Sequence, residues 1–132
     1  MVRWADWTSY GTAAVNPAIA LVTALRSPSR GCHLWRLGLS ELVGNGASLG
    51  LKALIRSPRP CLGCASDGMP SGHSMNGVIG ATARGWGWGL AFAVPTPALR
   101  IAAHRHTRSQ AVWGTLLGAT AEAAGQLVRC GP

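Results

Sequence analysis

Four stretches rich in alanine, glycine and leucine, separated by breaks that contain proline or glycine, limit the fold of this chain more than any other feature of its sequence. They cover residues 13–25, 34–55, 73–85 and 111–128, and a shorter stretch covers 99–106. None of them alternates as a half-buried strand does, and the breaks carry the residues that stop helices. The sequence therefore predicts an all-α fold of about four to five helices.

The low share of charged residues predicts that these helices lie in a membrane. Apolar residues make up 48% of the 132 residues and charged residues only 12%, whereas soluble domains carry about a quarter. No run reaches eighteen uninterrupted apolar residues, so spanning helices would be unusually rich in glycine and alanine. The first ten residues lack the apolar run of a secretory signal. We expect a single domain over residues 1–132, inserted through internal segments.

The basic balance of the chain points to an anionic partner. Eleven arginines and one lysine face four acidic residues, which gives a formal net charge of +8. Because the arginines are scattered and no basic run with interleaved aromatic residues occurs, we expect no nucleic-acid partner. The four carboxylates are too dispersed to cage a metal ion, so the sequence predicts no metal and no other cofactor.

The four cysteines leave several interpretations open. Cys61 and Cys64 have the spacing of half a zinc site or of a redox pair. A structural zinc site needs a second pair of ligands, and a redox pair needs a βαβ pattern around it, neither of which is present. A loop disulfide or incidental thiols are the expected outcomes.

Two basic residues near the end of the second predicted helix suit a phosphate group. Lys52 lies seven residues before Arg59-Pro60, about two helical turns, so both cations could reach one anion. Arginine offers a planar fork of donors to phosphate oxygens, and lysine offers a point charge. The alternative is an amphipathic helix face that meets solvent.

The segment Pro70-Ser71-Gly72-His73 carries a second set of chemical groups. Ser71 is predicted to cap a helix that begins near His73, and Gly72 lets an anion approach the backbone at the positive end of that helix. An anion there favours the protonated form of His73, which suits a general acid. The alternative is an ordinary capped turn with an exposed histidine.

A third segment supplies another cation and a second imidazole. Arg100 is followed by His106 and then by Gln110, and His104 is a rival nucleophile by chemistry alone. Phosphoryl transfer without a metal needs several cations, a nucleophile and an acid, and the three segments offer all of these. The residues alone thus favour metal-independent phosphoryl transfer, such as hydrolysis of a phosphate ester or pyrophosphate.

These segments resemble a known set of motifs. Lys52-x6-Arg59-Pro60, Pro70-Ser71-Gly72-His73 and Arg100-x5-His106 are similar, in order, to the three motifs of the type 2 phosphatidic acid phosphatase superfamily. The resemblance covers residues 41–118, and within the superfamily it is strongest to dolichyl diphosphate phosphatases. Gln110 stands where most members have aspartate, although dolichyl diphosphate phosphatases and glucose-6-phosphatases have glutamine. Leu99 replaces a serine usual before the third-motif arginine.

The resemblance implies a fold, a mechanism and a substrate. The fold would be a shortened multipass transmembrane helical bundle. His106 would attack phosphorus to give a phosphohistidine, His73 would protonate the leaving group, and the Gln110 amide oxygen would accept from His106. The phosphoryl oxygens would be held by Lys52, Arg59, Ser71, Gly72 and Arg100. The substrate would be a lipid or polyisoprenyl (di)phosphate, with dolichyl diphosphate the best single candidate, at the membrane of the endoplasmic reticulum.

The spacing between the second and third motifs is short. Only 26 residues separate His73 from Arg100, whereas a membrane crossing needs about 20 residues each way. We expect two short helices of about ten residues here, or a chain that has lost part of the hairpin. Two alternative functions follow: an inactive, truncated family member acting as a membrane or interaction protein, and a soluble phosphatase or haloperoxidase-like relative.

Overall fold

The structure, a computed structural model, describes residues 3–61, 64, 68–83 and 85–131. Helices account for the regular structure of these ranges, and no strand occurs in them. The helices are α1 (Arg3–Arg26), α2 (Arg30–Ile55), α3 (Gly72–Asn76), α4 (Trp86–Ala93), α5 (Pro95–Ala102) and α6 (Arg108–Gln126). The predicted all-α class is confirmed.

Small residues allow the helices to pack closely, as α6 does against α3 and its N-cap. On α6, a Cβ at Gly114 would lie 2.3 Å from the Ser71 carbonyl oxygen, and one at Gly118 would lie 2.4 Å from the Met75 carbonyl oxygen. The face of α1 that is buried carries alanine, serine and asparagine at positions 5, 9, 13, 16, 20 and 24. This spacing of three and four residues is that of one helix face. The core is therefore closed by close backbone approach more than by large side chains.

The ends of the middle helices differ from the prediction. The helix expected to run from 73 to 85 ends at Asn76, and turns follow to residue 83. The helix α4 occupies the Gly-Trp segment in which the predicted helix was expected to fade. Pro95 and Pro97 lie in the first turn of α5 rather than before a later helix, because a first-turn residue has no intrahelical acceptor for the N–H that proline lacks.

The segment between the second and third motifs forms two helices of eight residues each, α4 and α5. This is the first of the two outcomes that its length predicted. Asn16 on α1 holds the segment in place, because its buried Nδ2 donates to the carbonyl oxygens of Gly77 at 2.6 Å and Gly89 at 2.9 Å. Pro17, the next residue, lies within α1 and does not end it.

Two disulfides link the four cysteines. Cys61 and Cys64 form a loop disulfide, one of the expected outcomes, and Cys32 with Cys130 forms a second disulfide that the sequence analysis did not anticipate. Within the ranges that the structure describes, no helix combines the length and apolar character needed to cross a membrane.

Candidate active site

The three predicted motifs meet at one end of the bundle. Lys52 lies in the last turn of α2, and its Nζ is 3.8 Å from the point where a Cβ of Gly72 would stand. Arg59 and Arg100 both act electrostatically on His73 and on His106. The structure thus brings together every residue predicted for the site: Lys52, Arg59, Ser71, Gly72, His73, Arg100, His106 and Gln110.

The side chain of Gln110 has only one possible orientation. Its Oε1 accepts from the Thr107 backbone N–H at 3.1 Å, and its Nε2 donates to the Pro58 carbonyl oxygen at 2.8 Å and to Ser57 Oγ at 3.0 Å. A backbone N–H can only donate and a carbonyl can only accept, so the amide cannot be turned around. Oε1 therefore faces Nδ1 of His106, at 3.3 Å. In the neutral imidazole this contact places the proton on Nδ1 and the lone pair on Nε2.

The surroundings of His106 keep its imidazole neutral. The residue is 3% exposed. Burial is the largest cause that lowers the pKa of His106 from 6.5 to about 4, and the charges of Arg100 and Arg59 act in the same direction. The hydrogen bonds with Gln110 and with the Gly68 backbone oppose this shift. A neutral imidazole at pH 7 is a competent nucleophile.

His73 is shifted in the same direction for similar reasons. Its burial, followed by the charge of Arg100, lowers the pKa of His73 to about 4, and Asp6 raises it by less. Arg59 and Lys52 lower it further. The expected protonated form of His73 is therefore disfavoured while the site holds no anion. The ring packs edge-on against Tyr10, with the ring centres 4.4 Å apart.

Ser71 has the capping role that the sequence predicted. Its Oγ accepts from the backbone N–H of Ser74 at 3.4 Å and from the Ser74 hydroxyl at 3.0 Å, which leaves its own proton as a donor. The close approach of Gly114 seats this turn on α6, where the Ser71 N–H donates to the Gln110 carbonyl at 3.0 Å. Because α3 has only five residues, cationic side chains rather than a long helix dipole supply most of the positive charge.

Arg100 is held by residues of α1 that the sequence analysis did not assign to the site. It is 2% exposed, and its Nη1 lies 2.7 Å from Asp6 Oδ1 and 3.3 Å from Ser9 Oγ. The guanidinium also lies over the Tyr10 ring, 5.6 Å from its centre. Asp6 contacts Arg105 as well, at 2.6 Å. One carboxylate thus orients two arginines at the edge of the site.

The contribution of α1 left only a weak signal in the sequence. Asp6 is one of four acidic residues in a basic chain, and it lies three residues before Ser9 and four before Tyr10, on one face of a helix. The helical spacing of small residues from position 5 onward was the other available signal. His104, the rival nucleophile, has an exposed side chain and a left-handed backbone with φ of 51°. The geometry favours His106 over His104.

Comparison of the chain with protein-family models, with curated proteins and with solved structures finds no match.

Proposed function

We propose that the chain is a metal-independent phosphatase that hydrolyses a phosphate ester or pyrophosphate bond through a phosphohistidine at His106. The observation that carries this proposal is the fixed amide of Gln110, whose oxygen lies 3.3 Å from His106 Nδ1. That contact supports a neutral imidazole with its lone pair on Nε2, close to the charges of Arg100 and Arg59. An imidazole in this form can attack phosphorus directly.

The first step would form a bond between His106 Nε2 and phosphorus while the bond from phosphorus to the leaving oxygen breaks. His73 would give its proton to that oxygen, and Lys52, Arg59 and Arg100 would neutralise the phosphoryl oxygens. Water would then attack the phosphohistidine and return a proton to His73 as phosphate leaves. These are the steps that the resemblance to the type 2 phosphatidic acid phosphatase superfamily implies.

His73 would become protonated when the substrate binds. Without an anion, burial and the neighbouring cations lower the pKa of His73 to about 4. A phosphate group beside the ring has the opposite charge and raises this pKa, because it stabilises the imidazolium form. The acid would thus be formed only when there is a leaving group to protonate.

The proposal extends to a lipid or polyisoprenyl (di)phosphate, with dolichyl diphosphate as the candidate that the motifs resemble most. The architecture would be a shortened bundle of the superfamily's multipass kind, with its apolar outer faces against lipid. Large apolar side chains that are well exposed support lipid contact; they include Leu42, Leu49, Leu54, Trp113 and Leu127. Two disulfides support exposure to an oxidising compartment such as the lumen of the endoplasmic reticulum.

Hydrolysis of p-nitrophenyl phosphate, with and without chelator, tests the mechanism. We expect His106→Ala to lose activity by about a thousandfold or more, and His104→Ala, the matched control at a neighbouring exposed histidine, to keep it. Acid quenching of the wild type should trap an acid-labile phosphoenzyme that His106→Ala lacks. Activity that survives His106→Ala, or that disappears with chelator, would refute the mechanism.

Two substrates with different leaving groups test the role of His73 as general acid. His73→Ala should slow an alkyl phosphate much more than p-nitrophenyl phosphate, because p-nitrophenolate leaves without a proton. Equal losses on both substrates would contradict a role as general acid.

One observation favours a second candidate, an inactive family member that acts as a membrane or interaction protein. Arg100 already has an internal anion, since its Nη1 bonds to Asp6 and Ser9. In that case the wild type would show no phosphatase activity on any phosphate ester, while retaining its fold. The assay above decides between the two candidates.

A further inference from the structure

A disulfide lies in the loop between the first two motifs, beside the candidate site. This loop disulfide joins Cys61 to Cys64, and both residues are partly exposed. Arg105, the residue before His106, donates from Nη1 to Cys64 Sγ at 3.2 Å. The proposed hydrolysis uses neither sulfur and does not require a cation beside one. The disulfide and its arginine therefore point to a chemistry of their own.

Both ends of the loop that contains this disulfide contact Gln110. At one end, Ser57 Oγ and the Pro58 carbonyl oxygen accept from Gln110 Nε2 at 3.0 and 2.8 Å. At the other end, a Cβ at Gly68 would lie 2.6 Å from the same Nε2, and the Gly68 N–H donates to the Ser57 carbonyl oxygen at 2.7 Å. The Gly68 backbone is also hydrogen-bonded to His106. The conformation of the loop therefore sets the orientation of the Gln110 amide and of the His106 ring.

The position of Arg105 favours exchange with an external thiol. When a thiolate attacks Cys61 Sγ, the electron pair of the broken bond goes to Cys64 Sγ. A cation beside a sulfur stabilises its thiolate form, and a more stable thiolate leaves faster. Arg105 is held in this place by Asp6, whose Oδ2 lies 2.6 Å from Arg105 Nη2. Cys64 is therefore the sulfur that is prepared to leave, and Cys61 is the one that is attacked.

We propose that the loop disulfide is a thiol–disulfide exchange site through which a dithiol lowers the activity of the candidate site. One thiolate of the dithiol attacks Cys61 Sγ, the bond between the two cysteines breaks, and Cys64 leaves as a thiolate beside Arg105. The second thiolate of the dithiol then attacks the mixed disulfide and releases Cys61. Two protons of the dithiol go to solvent, and Cys61 takes one back. The dithiol is oxidised to a disulfide by two electrons, and the protein is reduced by the same two.

Reduction acts on the candidate site in two ways. The loop loses its covalent link and samples more conformations, so the groups that fix the Gln110 amide are no longer held together. The Cys64 thiolate also competes with Asp6 for Arg105, and Asp6 is the carboxylate that orients Arg100. The exchange step does not depend on the proposed function, whereas its effect on hydrolysis rests on it.

Limited reduction of the full-length protein with dithiothreitol tests the exchange step. Free thiols are alkylated at successive times, and the rate for each disulfide is measured by mass spectrometry of peptides. Arg105→Gln should slow reduction of the loop disulfide several-fold, because the leaving thiolate loses its cation, and should leave the rate for the disulfide between Cys32 and Cys130 unchanged. Arg108→Gln, the matched control at an exposed arginine three residues later, should slow neither. Equal rates for the loop disulfide in the wild type and Arg105→Gln overturn the inference.

An NMR measurement tests the link from the loop disulfide to the nucleophile. The imidazole signals of His106 are assigned by their absence in His106→Gln and are followed in the oxidised, reduced and reoxidised protein. They should move on reduction and return on reoxidation. A Cys32→Ser, Cys130→Ser variant, in which the loop disulfide is the only one, should show the same change. Signals of His106 that do not move when the loop disulfide is reduced overturn the inference.

Hydrolysis of p-nitrophenyl phosphate separates this inference from the proposed function. If the oxidised wild type hydrolyses the ester through His106, reduction of the loop disulfide should lower kcat/KM by about tenfold or more, because the nucleophile is no longer held in place. Reoxidation should restore the original value. An unchanged kcat/KM in the reduced protein overturns the inference and leaves the proposed function standing. If the oxidised wild type hydrolyses no phosphate ester, the proposed function is wrong, and the rates of reduction and the His106 signals still decide the exchange site.

Discussion

The two histidines of the site should make the stability of the protein depend on pH between about 6.5 and 4. The pKa of each falls from 6.5 to about 4 in the folded chain. In this range the unfolded chain binds protons that the folded chain does not, so the free energy of unfolding decreases as the pH falls. The slope approaches about 1.4 kcal/mol per pH unit for each imidazole.

The total loss in the free energy of unfolding follows from the size of each pKa shift. His106, which is almost fully buried, should contribute a loss of about 3 kcal/mol between neutral pH and pH 4. The loss from His73 should be smaller, because its ring is partly exposed and the shift is reduced by solvent. For a domain of this size, such a loss is a large part of the total stability.

Urea unfolding followed by circular dichroism at pH 7, 6, 5 and 4.5 measures this dependence. The wild type is compared with a His73→Gln, His106→Gln double variant, in which neither position titrates, and with His104→Gln as a control for the loss of one exposed imidazole. The double variant should lose less stability over the range than the other two proteins do. Equal slopes in the wild type and the double variant would refute the reasoning, as would an NMR titration that gives His106 a pKa near 6.5.

Three substitutions test the packing and the ion pair around the site. Gly114→Ala should destabilise the protein by about 1–3 kcal/mol, because its Cβ would meet the Ser71 carbonyl at 2.3 Å. Gly50→Ala is the control: it lies on α2 with nothing within 4 Å and should stabilise the protein by up to about 1 kcal/mol. The Tm values of both variants measure these effects, and a Tm that does not fall in Gly114→Ala would contradict the first. Asp6→Asn leaves the charge of Arg100 buried without its partner, so urea unfolding should show a loss of about 3 kcal/mol, and an unchanged midpoint would contradict that.

The sequence was most informative where a residue type has one strong physical reason for its place. Ser71 caps α3 as predicted, since a serine before glycine and histidine satisfies a backbone N–H at a helix start. The second helix ends at Ile55 as expected, because Pro58 and Pro60 follow within a few residues. The contact between Gln110 and His106 was predicted only from the resemblance of the motifs to the type 2 phosphatidic acid phosphatase superfamily, and the structure contains it.

The sequence was least informative where tertiary contacts override local preference. Gly89 was expected to weaken a helix, yet it lies within α4. The helix packs so closely on Ala81 that a Cβ at Gly89 would lie 2.2 Å from the Ala81 carbonyl oxygen, so this contact requires glycine. The start of α1 was missed because Ala5 and Ser9, rather than large apolar residues, form its buried face. Asp6 could not be assigned to Arg100, because the two are 94 positions apart and no local pattern links them.

The disulfide between Cys32 and Cys130 closes residues 32–130 into a covalent ring. The candidate site contains residues from inside this ring and residues from outside it. Every residue of the three motifs belongs to the ring, whereas Asp6, Ser9 and Tyr10 belong to the linear tail that precedes it. A single cut anywhere inside the ring leaves its two pieces tethered. A cut in the turn at residues 27–29 instead releases α1 as a separate peptide, together with the carboxylate that orients Arg100. The two histidines of the candidate site and the carboxylate that orients Arg100 are thus carried by two parts of the chain that one peptide bond can separate.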